Sequence, residues 1–520
     1  MSTAAAEQTN NKRGEAFFHS VIWSWFGVVV SIFSGLYLGA FIIHRVGHEA
    51  AGVWALIFTV VDNFWMIDLG FRSATLKYSA HYRALQQPEM VNEALNTALA
   101  FSGTVCAVTM IATFLFVRQV TRFENINPEY ADAFNKLLVL VGFGLATGSV
   151  FNLFSAVIEG YQRFDLTSRV SIAYMTIRAA GIVAVLATGH GLIDMGKAVL
   201  IALIAQYTLF FLAAKHVFPQ LRLAPRYITK AMFRQMFSYG AHTFGAQIAL
   251  QLLNQSAPML IGHYMSSSAF VVYFTQPQRL LNYSVDMVGK VGFITGSHTA
   301  ELAAREDYSG IARMGILINR YCLTLFAPLA LALIVYGRQL FSVWIDPQLA
   351  AMCAPLLPVM SAAITLAIAA QFNSSSILYG LGKHHGYAYS QMVEAAFCVA
   401  GLCWAIPRYG ILGAAWVVSV LLLVNRGFVL SLLLCRAIHF NVGKYLAGIY
   451  AGPLAAALPT LLLSFWIQRK YLHANSWRQV IEGGALVAAI FYAIAYFICL
   501  EPHHRAMPIK WLRTRLQRAA

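Results

Sequence analysis

Charged residues are scarce in this chain. Lysine, arginine, aspartate and glutamate together make up 11% of its 520 residues, against about 25% in ordinary soluble domains. No stretch is polar enough to form a soluble domain, and no loop is long enough to hold one. The length alone would predict several soluble domains, and the composition excludes them.

Catalytic motifs are also lacking. His48-Glu49 begins like the zinc motif HExxH, but Gly52 stands where the second histidine is needed. The glycines of 380–383 are too few for a phosphate-binding loop, and GxSxG does not occur. The seven cysteines lie in or beside apolar runs without a CxxC pair. The sequence therefore predicts no enzyme, no cofactor and no metal site.

Apolar runs are abundant instead. Hydrophobic residues make up 59% of the chain, and the mean hydropathy is +0.63. A membrane span needs about 20 apolar residues, and about fourteen such runs can be marked. An even number places both termini on one side. The loops assigned to that side hold more than twice as many basic residues as the opposite loops, so it is predicted to be the cytoplasm.

The net charge of +16 follows from these basic loops. Lysine and arginine are dispersed between spans and do not cluster on one face, so we expect membrane lipid, and no nucleic acid, around the protein. The predicted fold is an all-α polytopic membrane protein.

An internal repeat indicates how the spans are organised. A shift of 218 residues matches the start of span one to span seven, and carries Asp68 onto Asp286 and Arg72 onto Lys290. Two six-helix bundles form a parallel repeat, whose site is expected between the halves near the midplane. The predicted divisions are an N-terminal bundle (1–218), a cytoplasmic linker (219–235), a C-terminal bundle (236–440), and two C-terminal helices with a basic tail (441–520).

Span seven has a polar face. Gln247, Gln251, Asn254 and Gln255 follow the spacing of one helix side. Polar side chains inside a membrane turn away from lipid. These amides are predicted either to line a cavity or to bond across helices.

Span eight has a second polar face, which includes Arg279, Tyr283, Asp286 and Lys290. Asp286 and Lys290 lie four residues apart and neutralise each other in the simplest interpretation. Arg279 has no carboxylate at helical spacing, and a guanidinium suits phosphate because it donates two parallel hydrogen bonds. Arg320 in span nine is a further anion-binding candidate.

Carboxylates at membrane depth are costly and predict function. Asp68 lies four residues before Arg72, which favours an intrahelical ion pair. Asp62 lies deeper, and it either binds a coupling H⁺ or Na⁺ or pairs with Arg279. The ion-coupling candidates are Asp62, Asp286 and Glu394.

Other cations are expected near the membrane surface. Arg72, Lys77 and Arg83 are predicted along the last turns of the second span, where they attract an anionic substrate at the cytoplasmic mouth. Arg426 is predicted to extend its guanidinium to the interface.

Three short stretches carry a family resemblance: Gly-Val-Trp-Ala (52–55), Ile-Asp-Leu-Gly-Phe (67–71) and Ala-Thr-Leu-Lys-Tyr (74–78). Together they resemble the second span of the polysaccharide and O-antigen flippases of the multidrug/oligosaccharidyl-lipid/polysaccharide exporter superfamily. The resemblance implies two six-helix bundles, a cavity lined by spans one, two, seven and eight, and alternating access. The two C-terminal helices are more similar to the lipid II flippase branch.

The resemblance also implies a substrate. Such flippases move undecaprenyl-diphosphate-linked oligosaccharides from the cytoplasmic to the outer leaflet of the bacterial inner membrane, for polysaccharides such as lipopolysaccharide O-antigen, alongside glycosyltransferases and a glycan polymerase. Arg279 and Lys290 would then hold the diphosphate. The residues expected to meet the sugars are Gln247, Gln251, Asn254 and Tyr283.

Two alternatives stay open. A multidrug exporter of the same superfamily would share the fold but prefer an acidic cavity. A membrane glycan polymerase or ligase would carry catalytic residues on a long external loop, which this chain does not have.

Overall fold

The computed structural model describes residues 2–63, 70–383, 385–470, 476–501 and 504–505. Within these ranges the secondary structure is helical, with no strand. The α-helices are α1 (Ser2–Asp62), α2 (Phe71–Ala84), α3 (Pro88–Phe123), α4 (Pro128–Gly160), α5 (Phe164–Ala187), α6 (Leu192–Val217), α7 (Lys230–Tyr264), α8 (Ala269–Ala304), α9 (Tyr308–Trp344), α10 (Pro347–Cys353), α11 (Leu356–Gly380), α12 (His385–Leu422), α13 (Leu430–Ala437), α14 (Val442–Lys470) and α15 (Trp477–Ile498).

Local sequence explains where several helices begin. Proline opens α3 and α4, where its missing N–H is not needed. Polar caps precede others: the Thr229 hydroxyl accepts from the Met232 N–H at the start of α7, and the Asp307 carboxylate accepts from the Gly310 N–H at the start of α9.

Three irregularities divide the longest helical segments. Gly47 in α1 (φ 82°) and Gly410 in α12 (φ 59°) adopt positive φ, which glycine allows at low cost. A π-helical segment, Leu423–Val429, joins α12 to α13. Each glycine separates two predicted spans, so α1 and α12 each consist of two helices joined at a non-helical glycine.

The second predicted span is not a single helix. Its apolar start belongs to α1, which ends at Asp62, and α2 begins at Phe71 after Gly70 in left-handed conformation. Arg72, Lys77 and Arg83 were predicted on the last turns of the span, but they lie on α2 as a separate helix. Because glycine tolerates a positive φ, Gly70 allows α2 to begin as a separate helix, which the hydropathy pattern does not record.

The first compact unit is Met1–Val272. Its main core lies where α2, α3, α4, α6 and the start of α7 meet. The buried side chains at this junction include Phe71, Leu95, Phe154, Phe210 and Met236. Between helices in a bilayer such side chains stabilise the fold chiefly through van der Waals packing.

The second compact unit is Tyr273–Ala520. In it α9 packs against α11, α14 and α15. Tyr336 of α9 meets Val487 and Phe491 of α15 in one core cluster, and Tyr445 of α14 meets Ile377 of α11 in another. The two C-terminal helices are therefore part of this unit's core.

The chain between α6 and α7 is held in place within the first unit. The Asn92 side chain accepts from the Arg222 N–H (2.8 Å), and the Asn96 side chain donates to the Arg222 carbonyl (2.8 Å) and accepts from the Ala224 N–H (3.0 Å). Two buried asparagines thus supply the hydrogen bonds that this loop backbone needs. The assignment of 219–235 as a linker between domains stays a prediction.

Ten helical segments of the described chain are long and apolar enough to cross a membrane. Their outward faces carry large apolar side chains, as at Phe114, Leu115 and Phe116 of α3. A soluble protein would not expose such a surface. The prediction of an all-α polytopic membrane protein is confirmed.

Candidate functional site

The amide face of α7 contacts the end of α1. The Gln251 side chain donates to the Asp62 carbonyl oxygen (2.9 Å), and Gln255 donates to the Asp62 carboxylate (3.4 Å). Gln247 and Asn254 are exposed along the same helix. The structure therefore brings two predicted site residues, Asp62 and Gln251, together, with Gln255 beside them.

A second contact joins α1 to the turn after α7. The half-buried Glu49 carboxylate accepts from the hydroxyls of Ser267 and Ser268 and from the Ser268 N–H (3.3 Å). Glu49 and Ser267 are 218 residues apart, which is the shift of the predicted repeat. Sequence reasoning did not single out Glu49, because its hydrogen-bond donors lie on a distant turn.

Gly52, the first residue of the Gly-Val-Trp-Ala stretch (52–55), lies where no side chain can fit. A Cβ placed on Gly52 would lie 2.1 Å from the Ser268 carbonyl oxygen. Only glycine permits this close approach of α1 to the α7–α8 turn.

The polar face of α8 is described in part. Arg279 is exposed and Tyr283 is half-buried. The side chains of Asp286 and Lys290 lie outside the part of the chain that the structure describes. Their ion pair, and the role of Lys290 in binding phosphate, stay predictions.

Arg320 has a partner that the sequence did not indicate. Its Nε donates to the Gly448 carbonyl of α14 (2.6 Å), and the residue is half-buried. A guanidinium hydrogen-bonded to a backbone carbonyl fixes the packing of α9 on α14. This contact gives Arg320 a structural role whether or not it also meets an anion.

Glu394 and Arg426 form a buried ion pair in the second unit. The Arg426 Nε lies 3.4 Å from the Glu394 Oε1, and the Asn425 side chain donates to Oε2 (2.7 Å). Glu394 is 4% and Arg426 8% exposed. The prediction that Arg426 extends to the membrane interface is wrong, because its guanidinium turns inward to this carboxylate.

The cations of α2 interact with neighbouring helices. Arg72 binds both oxygens of Glu159 at the end of α4 (2.7 and 2.9 Å), and Asp68 lies outside the described residues. Lys77 lies 4.1 Å from the Tyr239 ring centroid, and the Arg83 guanidinium lies 5.0 Å from that of Tyr161. Cation–π contacts of this kind contribute about 0.5 to 1 kcal/mol at exposed sites.

Arg178 is a further cation at membrane depth. It lies on α5, with its guanidinium 5.2 Å from the ring centroid of Phe58 on α1. Its buried Nε has no hydrogen-bond partner among the described residues. An aromatic face offsets part of the cost of burying this charge.

Metal binding finds no support in the described ranges. No three histidine, cysteine, aspartate or glutamate side chains there lie close enough to hold an ion, and none of the seven cysteines forms a disulfide bond. What the arrangement offers is an aspartate whose backbone carbonyl and carboxylate each accept from one glutamine of α7, with polar side chains on membrane-length helices. These features define a multi-pass helical membrane protein with polar groups on its α1–α7 contact.

Solved structures share this fold. The lipid II flippase MurJ in an inward closed conformation superposes with a TM-score of 0.73 at 13% identity, covering 92% of this chain and 98% of that chain. An inward-facing multidrug resistance MATE family transporter of the MOP superfamily superposes with a TM-score of 0.62 at 14% identity, covering 80% and 96%. At this identity the likeness shows the transporter fold.

Sequence comparison gives the family. The profile described as "Polysaccharide biosynthesis protein" matches residues 46–345, more than half of the chain. This protein belongs to that family. It is also 22% identical over 382 residues to the "Uncharacterized membrane protein MJ1068" of Methanocaldococcus jannaschii, covering 69% of this chain and 73% of the relative.

Proposed function

We propose that this protein is a flippase for a polyprenyl-diphosphate-linked oligosaccharide. It would move the glycan across the bacterial inner membrane by alternating access, with both termini in the cytoplasm. The lipid-linked glycan comes from glycosyltransferases on one face and passes to a glycan polymerase on the other. Its product would be a cell-surface polysaccharide such as O-antigen.

The observation that carries this proposal is the family match, combined with a transporter fold. A polysaccharide biosynthesis protein built as a multi-pass transporter has one evident task, which is to move glycan intermediates. Such a substrate joins a diphosphate, sugar hydroxyls and a hydrocarbon tail, and each part needs a different chemical partner.

We assign the diphosphate to Arg279 and Lys290. A guanidinium binds phosphate oxygens through parallel hydrogen bonds, and an ammonium adds a compact charge. The amide and hydroxyl groups assigned to the sugars are those of Gln247, Gln251, Asn254 and Tyr283. We leave Arg320 out of this set because its Nε is hydrogen-bonded to Gly448.

We assign ion coupling to Asp62 rather than Glu394. Glu394 is neutralised within the chain by Arg426. Asp62 receives an amide hydrogen bond from Gln255 and lies on the α1–α7 contact together with Gln251, which is assigned to the sugars. A carboxylate in this setting suits reversible binding of H⁺ or Na⁺.

The Arg279→Ala variant tests the proposal. In a strain that depends on this protein for glycan export, the substitution should abolish export and leave lipid-linked precursor on the cytoplasmic side. The matched control is Arg305→Ala, since Arg305 is exposed and pairs with Glu301 (2.7 Å) just beyond α8. Export that continues unchanged in the Arg279 variant removes this residue from the site.

A multidrug exporter is the second candidate, because the MATE transporter shares the fold. It predicts that cells expressing the protein resist cationic dyes and expel them. Dye export that survives Arg279→Ala, without any glycan phenotype on deletion, would favour this alternative.

A further inference from the structure

The Glu124 carboxyl group is buried at the end of α3 in the part of the chain that the structure describes. Glu124 follows the last residue of α3 and is 1% exposed. Neither of its side-chain oxygens has a partner among the described residues. A buried polar group without a partner is costly, and a charged one is far more so.

Three helices close around this side chain. A Cβ placed on Gly262 of α7 would lie 2.4 Å from the Glu124 Oε2 and 2.7 Å from Leu56 of α1. Gly262 therefore lets the last turns of α7 pack directly on the carboxyl group and on α1. The same end of α7 contacts α3 again, since the His263 ring stacks on Phe123 at 4.2 Å between centroids.

The neighbouring contact between α1 and the α7–α8 turn is chemically different. There the Glu49 carboxylate receives hydrogen bonds from Ser267 and Ser268. Such donors stabilise a carboxylate in its charged form. Between Glu49 and Glu124, Glu49 alone has such donors among the described residues.

No ion pair stabilises a charged Glu124 in the described structure. The ionisable groups on the elements around it include Arg118 and Arg122 on α3, His48, Glu49 and Asp62 on α1, Glu129 and Tyr130 on α4, and His263 and Tyr264 on α7. None of them is a hydrogen-bond partner of Glu124. Burial alone raises the pKa of Glu124 from its ordinary 4.5 to about 8.

We propose that Glu124 is a proton-binding site that latches the end of α7 against α1 and α3. The Glu124 latch comprises Leu56, Phe123, Glu124, Gly262 and His263. The neutral carboxyl group allows the three helices to close, and the carboxylate requires water and opens them. This inference concerns the protein alone and holds for any substrate.

The direction of the pH effect follows from linkage. The closed latch holds the proton more tightly than the open one, so closure is favoured at low pH. The stabilisation of the closed state by the bound proton decreases as pH rises above about 4.5 and is lost by about pH 8. Between about pH 6 and about pH 9, the ratio of closed to open latch should fall about 100-fold.

Hydrogen exchange on the full-length protein in lipid nanodiscs tests the latch. The reporter is the Met265 N–H, which donates to the Ile261 carbonyl at the end of α7 (2.9 Å). After correction for intrinsic exchange rates, wild-type protection around this amide should fall between about pH 6 and about pH 9. The Glu124→Gln variant should stay protected at both pH values.

Glu129→Gln is the matched control, because Glu129 is exposed on the first turn of α4. It should keep the wild-type pH dependence. Wild-type protection that does not change with pH overturns the proposal, as does a Glu124→Gln variant that still loses protection. If Glu124→Gln does not fold, the pH dependence of Met265 protection in the wild type is the test. A loss of protection centred near pH 4.5, the ordinary pKa of glutamate, rejects the latch.

Discussion

Glu394 and Glu124 are both almost completely buried, yet their surroundings differ. Glu394, in the second unit, has an arginine at 3.4 Å and an asparagine at 2.7 Å. Glu124, in the first unit, packs against Gly262 and has no hydrogen-bond partner among the described residues. A chain can bury a carboxyl group with a compensating cation or in its neutral form, and this protein uses both.

The two glutamates therefore differ in role: one belongs to a structural ion pair, and the other responds to pH. Arg426 offsets the charge of the Glu394 carboxylate within the protein, so this pair holds α12 against the π-helical segment. A carboxyl group without a cation changes charge as pH changes. Asp62 is the intermediate case, because it is half-buried and bound by amides.

The largest effect is expected from Arg426→Leu, which leaves Glu394 buried without its cation. Breaking a buried ion pair by removing one partner costs about 3 to 5 kcal/mol, so the melting temperature of the purified protein should fall strongly. The double variant Glu394→Leu with Arg426→Leu should recover much of this loss, because no buried charge remains.

Arg478→Leu is the control for that change. Its ion pair with Glu482 (2.8 Å) lies on the exposed side of α15, where such pairs contribute little. We expect its melting temperature to match the wild type. Equal melting temperatures for Arg426→Leu and Arg478→Leu would show that the ion pair between Glu394 and Arg426 does not stabilise the protein.

A smaller effect is expected from Gly262→Ala in the Glu124 latch. The added methyl group would overlap Glu124 and Leu56, and overpacking of this kind costs about 1 to 3 kcal/mol. Protection of the Met265 amide against hydrogen exchange should decrease even at low pH, because the obstacle is steric.

Gly103→Ala provides the comparison. Gly103 lies inside α3 with nothing within 4 Å of an added Cβ, and alanine in a helix interior is favoured over glycine by about 0.5 to 1 kcal/mol. Its melting temperature should stay equal or rise slightly. Unchanged protection in Gly262→Ala would mean that α7 does not close on Glu124.

The smallest effect on stability is expected from Asp62→Asn. The asparagine oxygen can still accept from Gln255, so the melting temperature should change little, while glycan export should lose its dependence on the proton or sodium gradient. Asp194→Asn serves as the control, because Asp194 lies in the first turn of α6 and pairs with Lys197 (2.7 Å). Export that keeps its ion dependence in Asp62→Asn would reassign coupling to another group.

Much of the fold was predictable because hydropathy is a local property. Apolar runs separated by short polar turns indicate helices of membrane length, and α9, α14 and α15 lie close to their predicted spans. The spacing of Gln251 and Gln255 also predicted a polar helix face, because a helix repeats every 3.6 residues. Neither pattern indicates which helix lies opposite.

Pairing of charges was the less predictable part. Helical spacing identifies only partners three or four residues apart in one helix. On that basis Asp68 was predicted to pair with Arg72. The structure adds Glu159, 87 residues away in the chain. Likewise Arg426 meets Glu394 on another segment, where the sequence had favoured the membrane interface.

By itself, the sequence determined that this protein is a helical membrane protein and which side chains are polar at membrane depth, since composition and periodicity follow from neighbouring residues. Only the tertiary structure decided which carboxylates receive a cation, an amide or nothing. Electrostatic and hydrogen-bond energies depend on distances of a few ångströms between segments far apart in the chain. The contrast between Glu394 and Glu124 exists only once the helices have packed.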